Sequence, residues 1–421
     1  MAWTRVLEAR SQQAIAVGSL FPQQQAASGS YTRFGLSRNV ADPAPVGFFD
    51  NWATGLGASW ELDFWGRYRR NIESATDATD ATVDDFDNVM VMLVGDLASA
   101  YVQYRVSGQQ LAYTRENVRI QKASLAQATA RWKGGQTSEL PVVQANSLLQ
   151  QTESIIPVLE IGLRQANNQM CVLLGIPPVD LSAKLGEATI PVSPPELVVG
   201  IPADLIRRRP DLRSAERLVA AQNAQIGVAE ADFYPAFFIN GNIGVEAKDL
   251  AGLFTGKSLS AQIGPAFQWN VLNYGRILNN VQFQDLKTQE LAASYQQKVL
   301  TAAQEVENGI VAYLRSREQA AYVAASVRDA ERAVKLTTAE FEAGAIDFTA
   351  VFVAEQFLNQ QQNQYAFAQG NVALSLIAVY RALGGGWEAR LQFESNPAEA
   401  PGGMPGVREG AVVQPPNAVA P

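Results

Sequence analysis

From Leu259 to Asn270 the residues alternate: Leu259, Ala261, Ile263, Pro265, Phe267 and Trp269 are interleaved with Ser260, Gln262, Gly264, Ala266, Gln268 and Asn270. A period of two predicts a strand with one apolar and one polar face. "AFFINGNIGVE" does the same, with Phe237, Ile239, Ile243 and Val245 opposed to Asn240, Asn242 and Gly244. In the first half of the chain Trp52, Leu56, Ala58, Trp60 and Leu62 oppose Ala53, Gly55, Gly57, Ser59 and Glu61. Alternation alone fits a soluble sheet over a core as well as the wall of a membrane barrel. Trp60 and Trp269, in equivalent places at strand ends, favour the outer-membrane barrel with its aromatic girdles.

Elsewhere the spacing is three and four. Val83, Phe86, Met90, Leu93, Leu97, Tyr101 and Tyr104 form one such stripe, and Tyr295, Val299, Ala302, Val306, Ile310 and Tyr313 another, which is coiled-coil spacing. No proline interrupts Gly66 to Trp132 or Gly275 to Phe341, so each stretch predicts a helix of roughly 100 Å at the α-helical rise.

The two halves are copies. Trp60 to Arg67 matches Trp269 to Arg276 at an offset of 209 (269 − 60), and Gly135 with Gly344, Val142 with Val351, and Leu174-Gly175 with Leu383-Gly384 keep it. Such a period is too long for a solenoid and indicates a duplicated half-chain. The first repeat is expected over 1–176, with a strand pair near 28–64, a long helix near 66–133 and a return helix near 138–175. A proline-rich linker follows at 177–210, then a second repeat at 211–387, with a helix near 211–233, strands near 236–270, a long helix near 275–343 and a return helix near 347–383. The remaining segment, 388–421, is expected to be a disordered tail from about 396 onward. Four strands cannot close a transmembrane barrel, whose smallest form uses about eight, so several protomers must share one wall.

Composition narrows the function. The chain has 421 residues, no histidine, one cysteine and a formal net charge of −8. The acidic balance argues against a nucleic-acid partner. Without histidine there is no histidine base or histidine-ligated metal, and Cys171, in the apolar "NNQMCVLLG", is expected to be a small buried residue. No cofactor, metal site or catalytic constellation is expected. Asp84, Asp85 and Asp87 form an acidic run, expected to be a solvated or pore-facing surface. No apolar run approaches the about eighteen residues of a spanning helix. The N-terminus lacks the signature of a signal peptide.

"IRRRPDLRSAERL" stands apart. Arg207, Arg208 and Arg209 are able to fork onto phosphate oxygens. The alternative is a helix entrance, with Pro210 in the first turn, Asp211 and Glu216 complementing the positive helix start, and an alanine-rich run after them.

This segment through "ADFYP", the paired strand entrances "SLFPQ" and "DFYPA", and the hairpin "FEAGAIDFTAVFVAEQFLNQQQNQYA" resemble TolC-like outer-membrane factors. Within that family they look like the NodT-type channel lipoproteins of resistance-nodulation-division efflux systems. The resemblance covers about Val6 to Trp387. It implies a mainly α fold with a β-barrel portion: a homotrimer whose twelve strands cross the lipid of the outer membrane of a Gram-negative bacterium, with an α-helical tunnel in the periplasm and a mixed belt at its waist. It also implies a periplasmic adaptor (a membrane fusion protein), an inner-membrane efflux pump, and drugs, metal ions or other small solutes as cargo. Arg207 to Asp211 then mark the return from one repeat to the next. A type I secretion channel for polypeptides is the alternative on the same fold, and a soluble structural coiled-coil protein the alternative outside it. Two features depart from the family. The family's signal peptide, lipidated cysteine and additional N-terminal helix are absent from the sequence as it stands, as expected of a truncated or mis-started chain. Six residues after the turn glycines, where many members carry aspartate, stand Pro141 (135 + 6) and Ala350 (344 + 6).

Three site expectations follow. Leu56, Ala58, Ile239, Ile243, Ile263 and Phe267 face lipid, and Asn240, Asn242, Gln262 and Gln268 face the lumen. The turns at Gly134, Gly135 and Ser138 and at Gly344 and Ala345 meet the adaptor. The periplasmic gate is narrowed around Pro141 and Ala350 by Phe341, Ile346 and Val353, while Asp347 either adds a carboxylate ring or caps the returning helix.

Overall fold

The computed structural model describes residues 2–35, 48–192 and 208–385. Arg207, the tail from 388 and part of the linker lie outside them. In chain order the elements are α1 (Ala2–Gly18), β1 (Gln24–Gly35), β2 (Phe48–Leu62), α2 (Arg67–Lys133), α3 (Leu140–Leu173), α4 (Ser182–Leu185), α5 (Pro210–Glu230), β3 (Ala236–Ala247), β4 (Leu259–Gln268), α6 (Arg276–Glu342) and α7 (Phe348–Ala382). The duplication is visible in the helix ends, since α2 and α6 start 209 apart (276 − 67) and stop 209 apart (342 − 133). The fold is mainly α with one four-stranded antiparallel sheet in the order β1-β2-β3-β4. No helix among the described residues is long and apolar enough to cross a membrane.

Two compact units are each built from both halves: Met1–Phe86 with Pro210–Leu300, and Asp87–Arg209 with Thr301–Pro421. The first holds the sheet, α1, α5 and the beginnings of the long helices. There α5 lies on α2 through a charge ladder: Arg213 meets Asp84 at 2.7 Å and Arg217 meets Asp77 at 3.2 Å. One helical turn separates the two arginines and two turns the two aspartates, so both pairs fall on one face of each helix. The acidic run therefore differs from the expected solvated surface. Asp84 is ion-paired, Asp87 is 0% exposed, and of the three only Asp85 is open to solvent. The helical period, which returns every third or fourth side chain to a neighbour, overrides the run of like charges.

In the second unit α2, α3, α6 and α7 pack around small apolar clusters. Cys171 is fully buried beside Met170, Ala100 and Leu181. Arg209 donates from Nη1 to Glu305 (2.7 Å) and to the carbonyl of Ala382 (3.0 Å), the last residue of α7. A guanidinium there meets both an acid and the negative end of a helix. Pro210 opens α5 and Asp211 occupies its first turn, while Arg208 and Glu216 are exposed.

Candidate functional site: sheet wall and paired turns

Register sorts the strand residues onto two faces. Leu56 pairs with Ile243, which pairs with Ala261, and Gly241 with Ile263, Ile239 with Pro265 and Phe237 with Phe267. Cross-strand partners share a face, so Leu56, Ala58, Ile239, Ile243, Ile263 and Phe267 lie together on one side. Asn242 pairs with Gln262, and Asn240 and Gln268 share their parity on the other. The polar face is knit by side chains, with Asn51 donating to Glu246 and Ser59 to Asn240, both at 2.6 Å. The apolar face is bare: Ile263 is 81% exposed, Phe267 70% and Leu56 62%. A soluble sheet buries that face, and so large an apolar surface needs lipid or another chain against it.

Aromatic rings bound the apolar band. Tyr31 packs on Trp52 at 4.5 Å near one end, and beyond them, on the opposite face, Phe34 stacks on Phe49 at 5.1 Å. At the other, where the strands lead into helices, Trp65 stacks on Tyr234 at 4.5 Å and Phe237 meets Phe64 and Phe267. Trp60 and Trp269 donate their indole N–H to the carbonyls of Leu20 and Phe233, both at 3.0 Å. These bonds hold amphipathic rings at the level where apolar and polar surroundings meet. Trp52 to Trp60 on β2 spans about 27 Å along the strand at the extended rise, roughly 20 Å of height at the tilt of an outer-membrane strand, and the whole of β2, Phe48–Leu62, exceeds the roughly 25 Å band.

The second unit carries the paired turns. Gly135 (φ 69°) and Gly344 (φ 76°) occupy the left-handed region that lets a helix end and reverse. Gly135 N–H bonds to Trp132 and Gln136 N–H to Arg131; Gly344 N–H bonds to Phe341 and Ala345 N–H to Glu340. That is the double cap of a Schellman ending, used at both turns. Gly134, Gly135, Ser138, Gly344 and Ala345 are all exposed. Below them Phe341, Phe348, Ala128, Ala145 and Val351 form a closed cluster, with Ile346 and Val142 packed against it. Phe341 is 3% exposed, its ring edge-on to Phe348 at 5.4 Å and under Arg131 at 4.6 Å. Of the expected gate residues, Val353 is 56% exposed, Asp347 is exposed, and Pro141 and Ala350 are half-buried. Asp347 stands at the N-cap position of α7 with extended backbone, yet its carboxylate makes no capping hydrogen bond.

Sequence reasoning did not single out Arg131, which also donates to the carbonyl of Glu342 at the end of α6 (2.6 Å) and so ties α2 to α6. It also did not find a buried polar seam. Asn117 donates to Gln362 (2.9 Å), and Ser124 bonds Glu355 at 2.5 Å, each joining α2 to α7. Amides and hydroxyls in a long helix look like ordinary surface residues, and only the packing shows which are enclosed. Glu355 is 4% exposed, and burial raises its pKa, with the Ser124 hydroxyl pulling it partly back. Because the folded-state pKa is raised, the stability this carboxyl contributes is complete below its unfolded pKa. It is lost as pH rises through the folded one. Glu355→Gln keeps an acceptor for Ser124 and removes that loss. Melting curves should therefore show the variant more stable than the parent at neutral pH and level with it or below at acidic pH; a pH-independent difference contradicts a buried titrating carboxyl.

A four-stranded sheet with a bare apolar face and aromatic belts, continued by paired helices of 67 residues, defines one subunit of an outer-membrane channel. The family model for outer membrane efflux proteins matches residues 1–176 and 201–385, and the chain belongs to that family. Its relatives include Nodulation protein T of Rhizobium leguminosarum bv. viciae, 32% identical over 335 residues that cover 79% of this chain and 69% of the relative. Another is the cation efflux system protein CusC of Escherichia coli O6:H1, 29% identical over 398 residues and covering 92% and 83%. The solved structure of the outer-membrane channel OprN superimposes with a TM-score of 0.86 at 28% identity, covering 92% of this chain and 86% of that one. The protein is thus an outer-membrane channel component of an efflux system, extending into the periplasm.

Proposed function

We propose that three copies assemble into a passive, non-catalytic conduit, each supplying its four strands to a twelve-stranded barrel. The carrying observation is the sheet itself: an exposed apolar face, an opposite face of amides and hydroxyls, and free edges on β1 and β4. Free edges of this length invite another strand, and closure is what removes them in a membrane. Small solutes are the cargo, a reading supported by the relative named for cation efflux. Detergent extraction with mass measurement, followed by conductance in planar bilayers, tests the whole reading; a soluble monomer without conductance defeats it.

The paired turns of the second unit form the adaptor-docking surface and the aperture, with an inner-membrane pump beyond the adaptor. Cysteines at Ser138 or Asp347 should crosslink to the adaptor in cells, whereas a cysteine at the exposed Lys257 between β3 and β4 should not. With Phe341 and Ile346 committed to the cluster behind the turns, Asp347 and Val353 are the side chains left to narrow the opening. Three Asp347 carboxylates around a threefold axis repel one another and attract cations. In single-channel recordings, Asp347→Asn should weaken cation selectivity and divalent-cation block together. Unchanged selectivity and block assign Asp347 to the helix start alone.

A further inference from the structure

Among the described residues the first unit presents two free strand edges, on β1 and β4, and the internal repeat specifies how they meet. Trp60 and Trp269 set the equivalence of β2 and β4 at 209. Paired residue numbers sum to 83 across β1 and β2 (24 + 59) and to 504 across β3 and β4 (236 + 268). The difference is 421 (504 − 83), so within the ladder β3 follows β1 at 212 (421 − 209), one less than the 213 (235 − 22) between the prolines of the strand entrances, which precede the ladder and do not set its register. The junction between the two repeats, β2 on β3, pairs residues that sum to 299 (52 + 247). Advancing that junction by one repeat replaces β2 with β4 and β3 with the β1 of another copy, and the sum becomes 296 (299 + 209 − 212).

We infer that β4 of one copy pairs antiparallel with β1 of a second copy in the single register in which paired residue numbers sum to 296. This rests on the trimeric reading above and adds the contact that builds it. On the apolar face Phe267 then lies opposite Gly29, Pro265 opposite Tyr31 and Ile263 opposite Arg33. On the polar face Gln268 lies opposite Ser28, Ala266 opposite Ser30 and Gly264 opposite Thr32. The sum is even, as the three registers within the chain already require, so odd residues meet odd ones and apolar face continues into apolar face. Any odd sum sets Ile263 and Phe267 against the Ser28, Ser30 and Thr32 side, because a one-residue slip flips a strand. One observation that did not enter the arithmetic agrees with it: the Phe267 ring comes to lie beside a glycine, where no side chain competes for the space, a pairing that suits an aromatic in a sheet. A slip of two toward Tyr31 sets it against a ring already packed on Trp52 at 4.5 Å.

The test is disulfide trapping between copies of the full chain in solubilised outer membranes, in a Cys171→Ser background so that the introduced cysteines are the only ones. Directly opposed residues have Cα atoms about 4.5–5.5 Å apart, inside disulfide reach, whereas diagonal neighbours at roughly 7–8 Å lie outside it. Ala266→Cys with Ser30→Cys should convert most chains to a covalent trimer on non-reducing gels, returned to monomer by reductant. Ala266→Cys with Ser28→Cys (sum 294) or with Thr32→Cys (sum 298) should leave most chains monomeric. A trimer trapped chiefly by either control pair, or by none of the three, overturns the register and leaves the channel reading intact. A chain that is monomeric in detergent by mass overturns both.

Discussion

Ile263→Arg should abolish or sharply reduce the recovery of assembled channel from outer membranes, while Gln262→Arg, one residue away, should leave it nearly at the parental level. Ile263 lies within the band between the aromatic belts, on the face with Leu56 and Ile243, and is 81% exposed. In the assembled wall that exposure is to hydrocarbon, where an arginine near mid-membrane costs about 2–4 kcal/mol. A trimer carries the change three times. Gln262 points to the opposite face, opposite Asn242, where an added cation meets water. Semi-native gels of membrane extracts measure the trimer fraction directly. Equal losses at the two positions contradict the assignment of faces.

Arg105→Ala should lower the melting temperature strongly and expose the segment around α4 to protease. Arg105 is 7% exposed. Its Nη2 donates to the carbonyl of Leu185 at 2.7 Å, its Nη1 to that of Gly186 at 2.9 Å, and its Nε to the Tyr101 hydroxyl at 3.0 Å. The guanidinium also lies over the rings of Tyr101 and Tyr104. It therefore holds the C-terminal end of α4 onto α2, aided by Asn167, which bonds Val179 and Leu181. Removing it strands two carbonyls and unpacks two rings, an expected loss of about 3 kcal/mol from charge-assisted bonds of this kind. Arg105→Lys should recover part of it, since a single ammonium cannot reproduce the fork. Unchanged protease sensitivity around residues 179–186 contradicts this role.

These two residues mark what was legible in the chain. The faces of the sheet were open to inspection because the strand period is two and needs no partner to define it. Ile263 and Gln262 are adjacent letters, and their opposite fates follow from that alone. The glycine turns were equally readable, since a helix reversing at Gly135 or Gly344 needs a backbone with φ above zero. Arg105 was not, because it stands in an unremarkable helical stretch. Its function depends on carbonyls 80 residues away in sequence. Phe341 was expected to narrow an aperture and is instead enclosed by Phe348 and Arg131, because spacing along one helix does not say what packs over it.

By itself the sequence determined the periodicities, the 209-residue duplication and the absence of histidine, all of which are local or translational properties of the string. Only the tertiary structure decided which polar residues are enclosed. It showed that Asp84 and Asp77 serve α5, that Arg209 closes α7, and that Glu355 is buried against Ser124. The physical reason is that burial and ion pairing are properties of two surfaces at once, and a single amphipathic pattern specifies only one of them.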